Sequence, residues 1–265
     1  MLKIINKKNI KPLIKDDEVL LIAGPCSIID FERTLIIAKF LKNLGVNFLR
    51  AGAYKPRTSP YDYQGLGEEG LKILSQVKKE TGMKIVSEIL DPSDLPLFDD
   101  VDIIQVGARN MQNFALLKAL GKTNKPVLLK RGFGNTVEEW LFAAEYIAYS
   151  GNQKIILCER GIRTFESDSR FTLDLAGIVK AKEMANLSVI ADPSHAAGVN
   201  SLVTPLGLSS IVSGAEGLII EVDSDPKTAL SDQKETLSFE EFSEFYEKLK
   251  KLLPVLNKKL ITELN

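Results

Sequence analysis

Short runs of aliphatic and β-branched residues alternate along the whole chain with longer stretches in which apolar residues return every three or four positions. The runs at 19–26 (VLLIAGPC), 48–54 (FLRAGAY), 84–90 (KIVSEIL), 102–108 (DIIQVGA), 126–131 (PVLLKR), 154–160 (KIILCER), 188–194 (SVIADPS) and 217–222 (GLIIEV) predict eight strands. They are apolar at nearly every position, the pattern of strands covered on both faces in a parallel sheet. Helical spacing predicts helices near 31–45, 67–81, 110–121, 136–150, 171–186 and 201–213, a short acidic one near 92–98, and a terminal one from about 238. In that last helix Phe239, Phe242, Tyr246, Leu249 and Leu253 share a face, while Glu240 and Glu241 sit in the first turn and lysines follow, as the helix dipole prefers. Eight β-then-α units predict an α/β protein built as a closed (β/α)8 barrel, with a doubly wound open sheet as the alternative. No Pro/Gly/Ser-rich linker divides the chain, so residues 18–265 are expected to form one barrel domain. Residues 1–17 are expected to be a short N-terminal arm or small strand closing its bottom.

Composition narrows the function classes. With 45% apolar and 26% charged residues, the 265-residue chain has material for a large core, which excludes disordered or low-complexity structure. A net charge of −1 gives no global attraction to nucleic acid or anionic lipid, so any polyanion site must be a local cluster. No apolar run approaches the ~20 residues needed to span a bilayer. The lysine-broken N-terminus is no signal peptide, and two cysteines make no disulfide framework, so a cytoplasmic location is expected.

The site of a parallel barrel gathers at the C-terminal ends of its strands. There the sequence places Arg50, Lys55, Arg57, Arg109, Lys130, Arg131, Arg160 and Arg163, a local cationic excess suited to a small ligand carrying more than one anionic group. Glu88, Glu159 and Asp192 are carboxylates with which some of these cations would instead pair. The first, seventh and eighth strands are neighbours in a closed barrel, so Cys26, His195 and Glu221 converge. Thiolate, imidazole and carboxylate suit a divalent transition metal such as Mn, Fe, Co or Zn, with Asp232, Asp223 and Asp225 as competing fourth ligands. Cys158 has no second ligand nearby and is expected in the core. The match of Gly65 to Gly70 to G-x-G-x-x-G is a loop and helix entry: it follows its strand late, and Glu68 and Glu69 occupy the place of a pyrophosphate. Lys130 also leaves open a Schiff-base aldolase.

The strings AGPCS (23–27), RAGAYKPRTSPYDYQGLG (50–67), QVGARNMQNF (105–114), LLKRGF (128–133), CERGIRTFE (158–166), DPSHAAG (192–198) and the IIEV…ALSDQ stretch (219–233) together resemble 3-deoxy-D-arabino-heptulosonate-7-phosphate (DAHP) synthase. The match runs in order from about residue 18 to 245 and is nearest the compact microbial subfamily related to 3-deoxy-octulosonate-phosphate synthase. The resemblance implies a (β/α)8 barrel that condenses phosphoenolpyruvate with erythrose 4-phosphate and water, releasing phosphate, as the first step of the shikimate pathway to aromatic amino acids. It implies Cys26, His195, Glu221 and Asp232 as metal ligands, and Arg50, Lys55, Arg109, Lys130 and Arg160 around the phosphate and carboxylate of phosphoenolpyruvate. Arg57 and Thr58, with Ser59 nearby, would hold the phosphate of erythrose 4-phosphate.

For that chemistry Lys55 is a candidate proton donor to the aldehyde oxygen, Glu88 would steady a cation at C2 or orient the attacking water, and His195 would act through the metal. The loop KPRTS looks like the DAHP form, whereas a K-A-N-R-S-type loop would mark the sister enzyme that uses arabinose 5-phosphate. Longer members carry a regulatory domain for aromatic amino acids. Residues 1–17 are too short for one, so feedback inhibition would need another protein or another surface. Family resemblance also implies a homo-oligomer, tetramer or dimer. A non-catalytic barrel that binds a phosphorylated metabolite is the remaining alternative, for which a mixed Cys/His/carboxylate cluster has no use.

Overall fold

The structure, a computed structural model, describes residues 1–6 and 10–264. Eight parallel strands form the ring: β1 (Glu18–Gly24), β2 (Phe48–Arg50), β3 (Lys84–Glu88), β4 (Ile103–Val106), β5 (Val127–Lys130), β6 (Ile155–Glu159), β7 (Ser188–Ala191) and β8 (Gly217–Glu221). β1 pairs with β8 on one side (Ile22 opposite Ile219) and with β2 on the other (Ile22 opposite Phe48). That second pairing closes the sheet and excludes the open doubly wound alternative.

The connections carry α1 (Phe31–Asn43), α2 (Glu68–Thr81), α3 (Phe114–Leu120), α4 (Val137–Tyr149), α5 (Leu175–Met184), α6 (Pro193–Ala197), α7 (Asn200–Val212) and α8 (Phe239–Val255). The short acidic segment after β3 is a 3-10 helix, Pro92–Phe98, consistent with its two prolines. Both faces of the strands are covered. Leu20, Ile22, Phe48, Val86, Ile103, Leu128, Ile156, Cys158, Ile190 and Ile219 fill the barrel, while residues such as Val19, Leu21, Leu49 and Ile220 pack outward against the helices. This two-sided burial is why the strand runs read as continuously apolar.

The bottom is closed differently from the sequence expectation. Among its described residues the N-terminal arm contributes no strand; instead Leu13 and Ile14 insert into the interior cluster, and Ile14 N–H donates to Ser188 Oγ at 2.8 Å. The strand at this end is β9 (Lys259–Ile261), which follows α8 and pairs in parallel with the first half of β1. Further along the arm, the N–H groups of Lys3, Ile4 and Ile5 all donate to the Glu145 carboxylate on α4, at 2.7, 2.8 and 3.0 Å. Glu145→Ala is expected to release this contact and lower unfolding stability by about 1–3 kcal/mol, the range for hydrogen bonds to a charged group. A thermal midpoint equal to that of the parent would show that the contact adds nothing. No described helix is long and apolar enough to cross a membrane.

Candidate active site

Four potential ligand side chains meet at the C-terminal end of the barrel. Gly24 ends β1 at φ +146, and a Cβ there would lie 2.1 Å from Arg50 O, so only glycine lets the chain enter the site so close to β2. Two residues on, Cys26 Sγ lies 2.8 Å from Asp232 Oδ2 and 2.8 Å from Lys55 Nζ. His195 sits in the first turn of α6. Asp192 caps that turn, its Oδ1 accepting the His195 backbone N–H at 3.0 Å and its Oδ2 gripping Nδ1 at 2.7 Å, which turns Nε2 toward Glu221 Oε1, 3.2 Å away. Such a carboxylate behind the imidazole fixes both tautomer and ring orientation. Glu221 ends β8, where Arg50 Nη1 donates to the same Oε1 at 2.8 Å.

One potential ligand atom from each of Cys26, His195, Glu221 and Asp232 lies within 4.8 Å of the others. Glu221 Oε2 is buried and has no hydrogen-bond partner. A buried carboxylate with an unpartnered oxygen, grouped with a thiol, an imidazole and a second carboxylate, offers lone pairs suited to a cation, so these residues fit a divalent ion. The rival aspartates are engaged elsewhere: Asp223 pairs with Arg33 at 2.6 Å, and Asp225 Oδ2 accepts the Thr228 hydroxyl at 3.1 Å.

The electrostatics suit ligation. Burial drives the His195 imidazolium below its ordinary range against the pull of Asp192, which favours the neutral, ligating ring. Burial alone would raise Asp192, but His195 and Lys130 outweigh it and hold the carboxyl well below the usual range. Burial, then Glu221, pushes the Cys26 thiol up to about 12 despite Lys55. An ion must therefore displace the Cys26 proton. Below that value the thiolate fraction rises tenfold per pH unit, so the metal dissociation constant is expected to fall about tenfold per unit between about pH 7 and 9, with one proton released per ion. A pH-independent dissociation constant in Mn²⁺ titrations would remove the thiol from the ligand set.

Beside the cluster a pocket opens, lined by Lys55, Arg57, Arg109, Lys130, Arg160 and Arg170 together with Thr58, Glu88 and Phe133. Lys130 Nζ is gripped by Asp192 Oδ2 at 2.5 Å. Arg160 lies 4.2 Å over the Phe171 ring and 4.9 Å over Phe133; one end of its guanidinium donates to His195 O, while its buried Nη1 has no partner. Glu88 receives Gln105 on one carboxylate oxygen at 3.0 Å, and its other oxygen, also buried, is unpartnered. These orphans form a chemical imprint: a free guanidinium N–H asks for an anion, and a free carboxylate oxygen asks for a water or hydroxyl.

Not every candidate from the sequence enters this pocket. Arg50 stands behind it, bound to Glu221. Arg57 lies 3.7 Å from Asp62 and 4.0 Å from Asp232 at the rim, and Arg109 donates to Thr58 Oγ1 at 3.2 Å. Ser59 does not line the pocket; its hydroxyl accepts Tyr61 N–H within its own loop. Arg131 turns away into ion pairs with Glu159 (2.9 Å) and Asp174 (2.8 Å), and Arg163 is exposed outside Phe133. Sequence reasoning missed Arg170 and Phe171, which lie in an irregular loop, and the dual grip of Asp192 on Lys130 and His195.

The sequence profile described as the DAHP synthetase I family matches residues 4–258. The chain belongs to that family. A Thermotoga maritima protein named phospho-2-dehydro-3-deoxyheptonate aldolase is 53% identical over 241 residues, covering 91% of this chain and 71% of the relative. The crystal structure of that Thermotoga aldolase, titled also as DAHP synthase, superposes with a TM-score of 0.90 at 52% identity, covering 94% of this chain and 73% of the other. A truncated form of the Thermotoga 3-deoxy-D-arabino-heptulosonate 7-phosphate synthase gives a TM-score of 0.87 at 48% identity over 94% and 91% of the two chains. A 2-dehydro-3-deoxyphosphooctonate aldolase from Syntrophobacter fumaroxidans is more distant, 32% identical over 86% of this chain and 85% of the relative.

Proposed function

We propose that this chain condenses phosphoenolpyruvate with erythrose 4-phosphate and water to give DAHP and phosphate, the opening step of the shikimate pathway. The observation that carries this reading is the joining of a Cys/His/carboxylate cluster to a pocket of cations in which Arg160 Nη1 and Glu88 Oε1 are buried and unpartnered. Lys130, Arg160 and Arg109 hold the phosphate and carboxylate of phosphoenolpyruvate, with Lys55 beside them and Arg50 behind. Arg57 and Thr58 at the rim take the phosphate of the aldose, and the Arg109 to Thr58 hydrogen bond joins the two subsites. Ser59 supports that loop from outside the pocket.

Cys26, His195, Glu221 and Asp232 would hold a divalent ion such as Mn, Fe, Co or Zn, which would supply Lewis acidity to the aldehyde or to a water. Around it the protein's own groups manage charge and protons. C3 of the enol phosphate attacks the aldehyde carbon, and the aldehyde oxygen takes a proton from Lys55. Positive charge then develops at C2, where the free oxygen of Glu88 stabilises it, orients the water that captures it and accepts the proton that this water loses. Collapse of the resulting hemiketal phosphate expels phosphate and leaves the 2-keto acid.

The Asp192 grip on Lys130 suits an anion-binding ammonium and opposes the free amine an imine would require. The KPRTS loop and the closer identity of the heptonate relative favour the four-carbon aldose over arabinose 5-phosphate. Mass analysis of products from phosphoenolpyruvate with each aldose tests the choice. A heptulosonate phosphate from erythrose 4-phosphate is expected; an octulosonate phosphate as sole product would overturn the substrate assignment.

In this reading the active unit is the barrel from residue 18 onward, with residues 1–17 as its arm, working in the cytoplasm, where the buried free thiols Cys26 and Cys158 stay reduced. It assembles as a dimer or tetramer, and the partly exposed Phe114, Phe142, Tyr146 and Tyr149 on α3 and α4 are an aromatic face that such a contact would cover.

A further inference from the structure

Asp232 reaches the metal cluster from the irregular loop after β8, and its backbone sits at φ +52, a conformation that a non-glycine residue keeps only when its surroundings hold it. Arg170 is the group that holds its side chain. Arg170 Nη1 lies 3.0 Å from Asp232 Oδ1 and 2.6 Å from Glu235 Oε1, so the outer oxygen of Asp232 is taken and Oδ2 is left facing Cys26 Sγ at 2.8 Å. Glu235 is buried, which fixes the far side of this bridge. The only other cation within 4.0 Å of Asp232 among the described residues is Arg57, on the inner oxygen at that limit.

The backbone of Arg170 is itself anchored. Its N–H donates to Ala197 O at 3.1 Å and that of Phe171 donates to Ala196 O at 2.9 Å, the two carbonyls that follow His195 in α6. A Cβ on Gly198 would come within 2.5 Å of Arg170 Cβ, so the two segments are in close contact. One residue thus joins the helix that carries His195 to the loop that carries Asp232.

We propose that Arg170 is a positioning residue for the metal centre: by binding Asp232 Oδ1 it directs Oδ2 at the ion and locks the loop after β8 against α6. This rests on the metal reading above and adds to it a residue outside the ligand set. Partners that orient ligating carboxylates typically change metal affinity 10–100-fold when removed. Both carboxylates accept from the single nitrogen Nη1, so a lysine ammonium can replace much of the bridge, whereas a glutamine cannot supply the charge. The neighbouring Phe171 lies closer under Arg160, at 4.2 Å, than under Arg170, at 5.8 Å, so it provides a variant weighted toward the anion pocket.

The test is Mn²⁺ binding to metal-stripped full-length protein, read by the paramagnetic signal of the free ion, with phosphoenolpyruvate binding to the same metal-free protein measured by calorimetry. Arg170→Gln is expected to raise the Mn²⁺ dissociation constant about 10–100-fold, a larger factor than its effect on phosphoenolpyruvate, to which Arg170 contributes as one of six cations lining the pocket. Arg170→Lys is expected to recover most of the loss. Phe171→Leu is expected to give the reverse pattern, weaker phosphoenolpyruvate and near-parental Mn²⁺. Parental Mn²⁺ affinity in Arg170→Gln, or an equal loss of both ligands, would overturn the positioning role while leaving the metal site standing. Failure of the unaltered protein to bind Mn²⁺ would overturn both.

Discussion

Alanine at His195 or at Cys26 is expected to abolish tight metal binding and lower kcat/KM by about a thousandfold or more, with the fold intact. Each substitution removes one of the four candidate ligand side chains, and the Lewis acidity of a bound ion would be worth several kcal/mol of transition-state stabilisation, each 1.36 kcal/mol being tenfold in rate. The fold should survive because both side chains lie above the layers that fill the barrel, which contain Ile22, Phe48, Leu128 and Ile219. After His195→Ala, Asp192 still has Lys130 at 2.5 Å, so no buried charge is stranded. Metal content by mass spectrometry, circular dichroism and steady-state rates together check this. Full turnover in metal-free buffer by either variant would contradict the ligand assignment.

Arg160→Ala is expected to cost kcat/KM about 100–1000-fold, chiefly through KM for phosphoenolpyruvate. The guanidinium is buried between Phe171 and Phe133, and burial lowers its pKa from the ordinary arginine range. The unpartnered Nη1 of this buried cation gains its missing interaction when an anion arrives, and deleting one side of such a pair typically costs 2–5 kcal/mol. Arg160→Lys keeps the charge and loses the planar fork and the stacking, so it should recover only part of the affinity. If KM for phosphoenolpyruvate held steady while that for the aldose phosphate rose, Arg160 would belong to the other subsite.

Much of this architecture was legible because a parallel barrel buries its strands twice, and eight continuously apolar runs are hard to place in any sheet with a wet face. The same rule placed Cys26, His195 and Glu221 together, since the strands that precede or carry them are neighbours once β1 pairs with β8. Strand ends were overrun for a physical reason: Ala51 and Ala53, beyond β2, are apolar because they are buried in the outer core, not because they are in the sheet. Asp232 could not be chosen over Asp223 and Asp225 by spacing, because what decides among them is the pairing of Arg33 with Asp223 and the left-handed turn at Asp232. Strand-end position also misread Arg131, since a strand end has two faces and this side chain takes the outer one, toward Glu159 and Asp174. β9 left no periodic signal in three residues, and Arg170 sits in a loop whose course is set by the backbone of α6 rather than by any pattern of its own.

Dependence of the condensation on one ion at the Cys26, His195, Glu221 and Asp232 cluster is tested by phosphate release from phosphoenolpyruvate and erythrose 4-phosphate by EDTA-stripped protein titrated with Mn²⁺. Silence is expected before the titration, with recovery that saturates at one ion per chain and no recovery in Cys26→Ala. Full release by the stripped protein, or none at any ion concentration, would overturn the metal-dependent condensation.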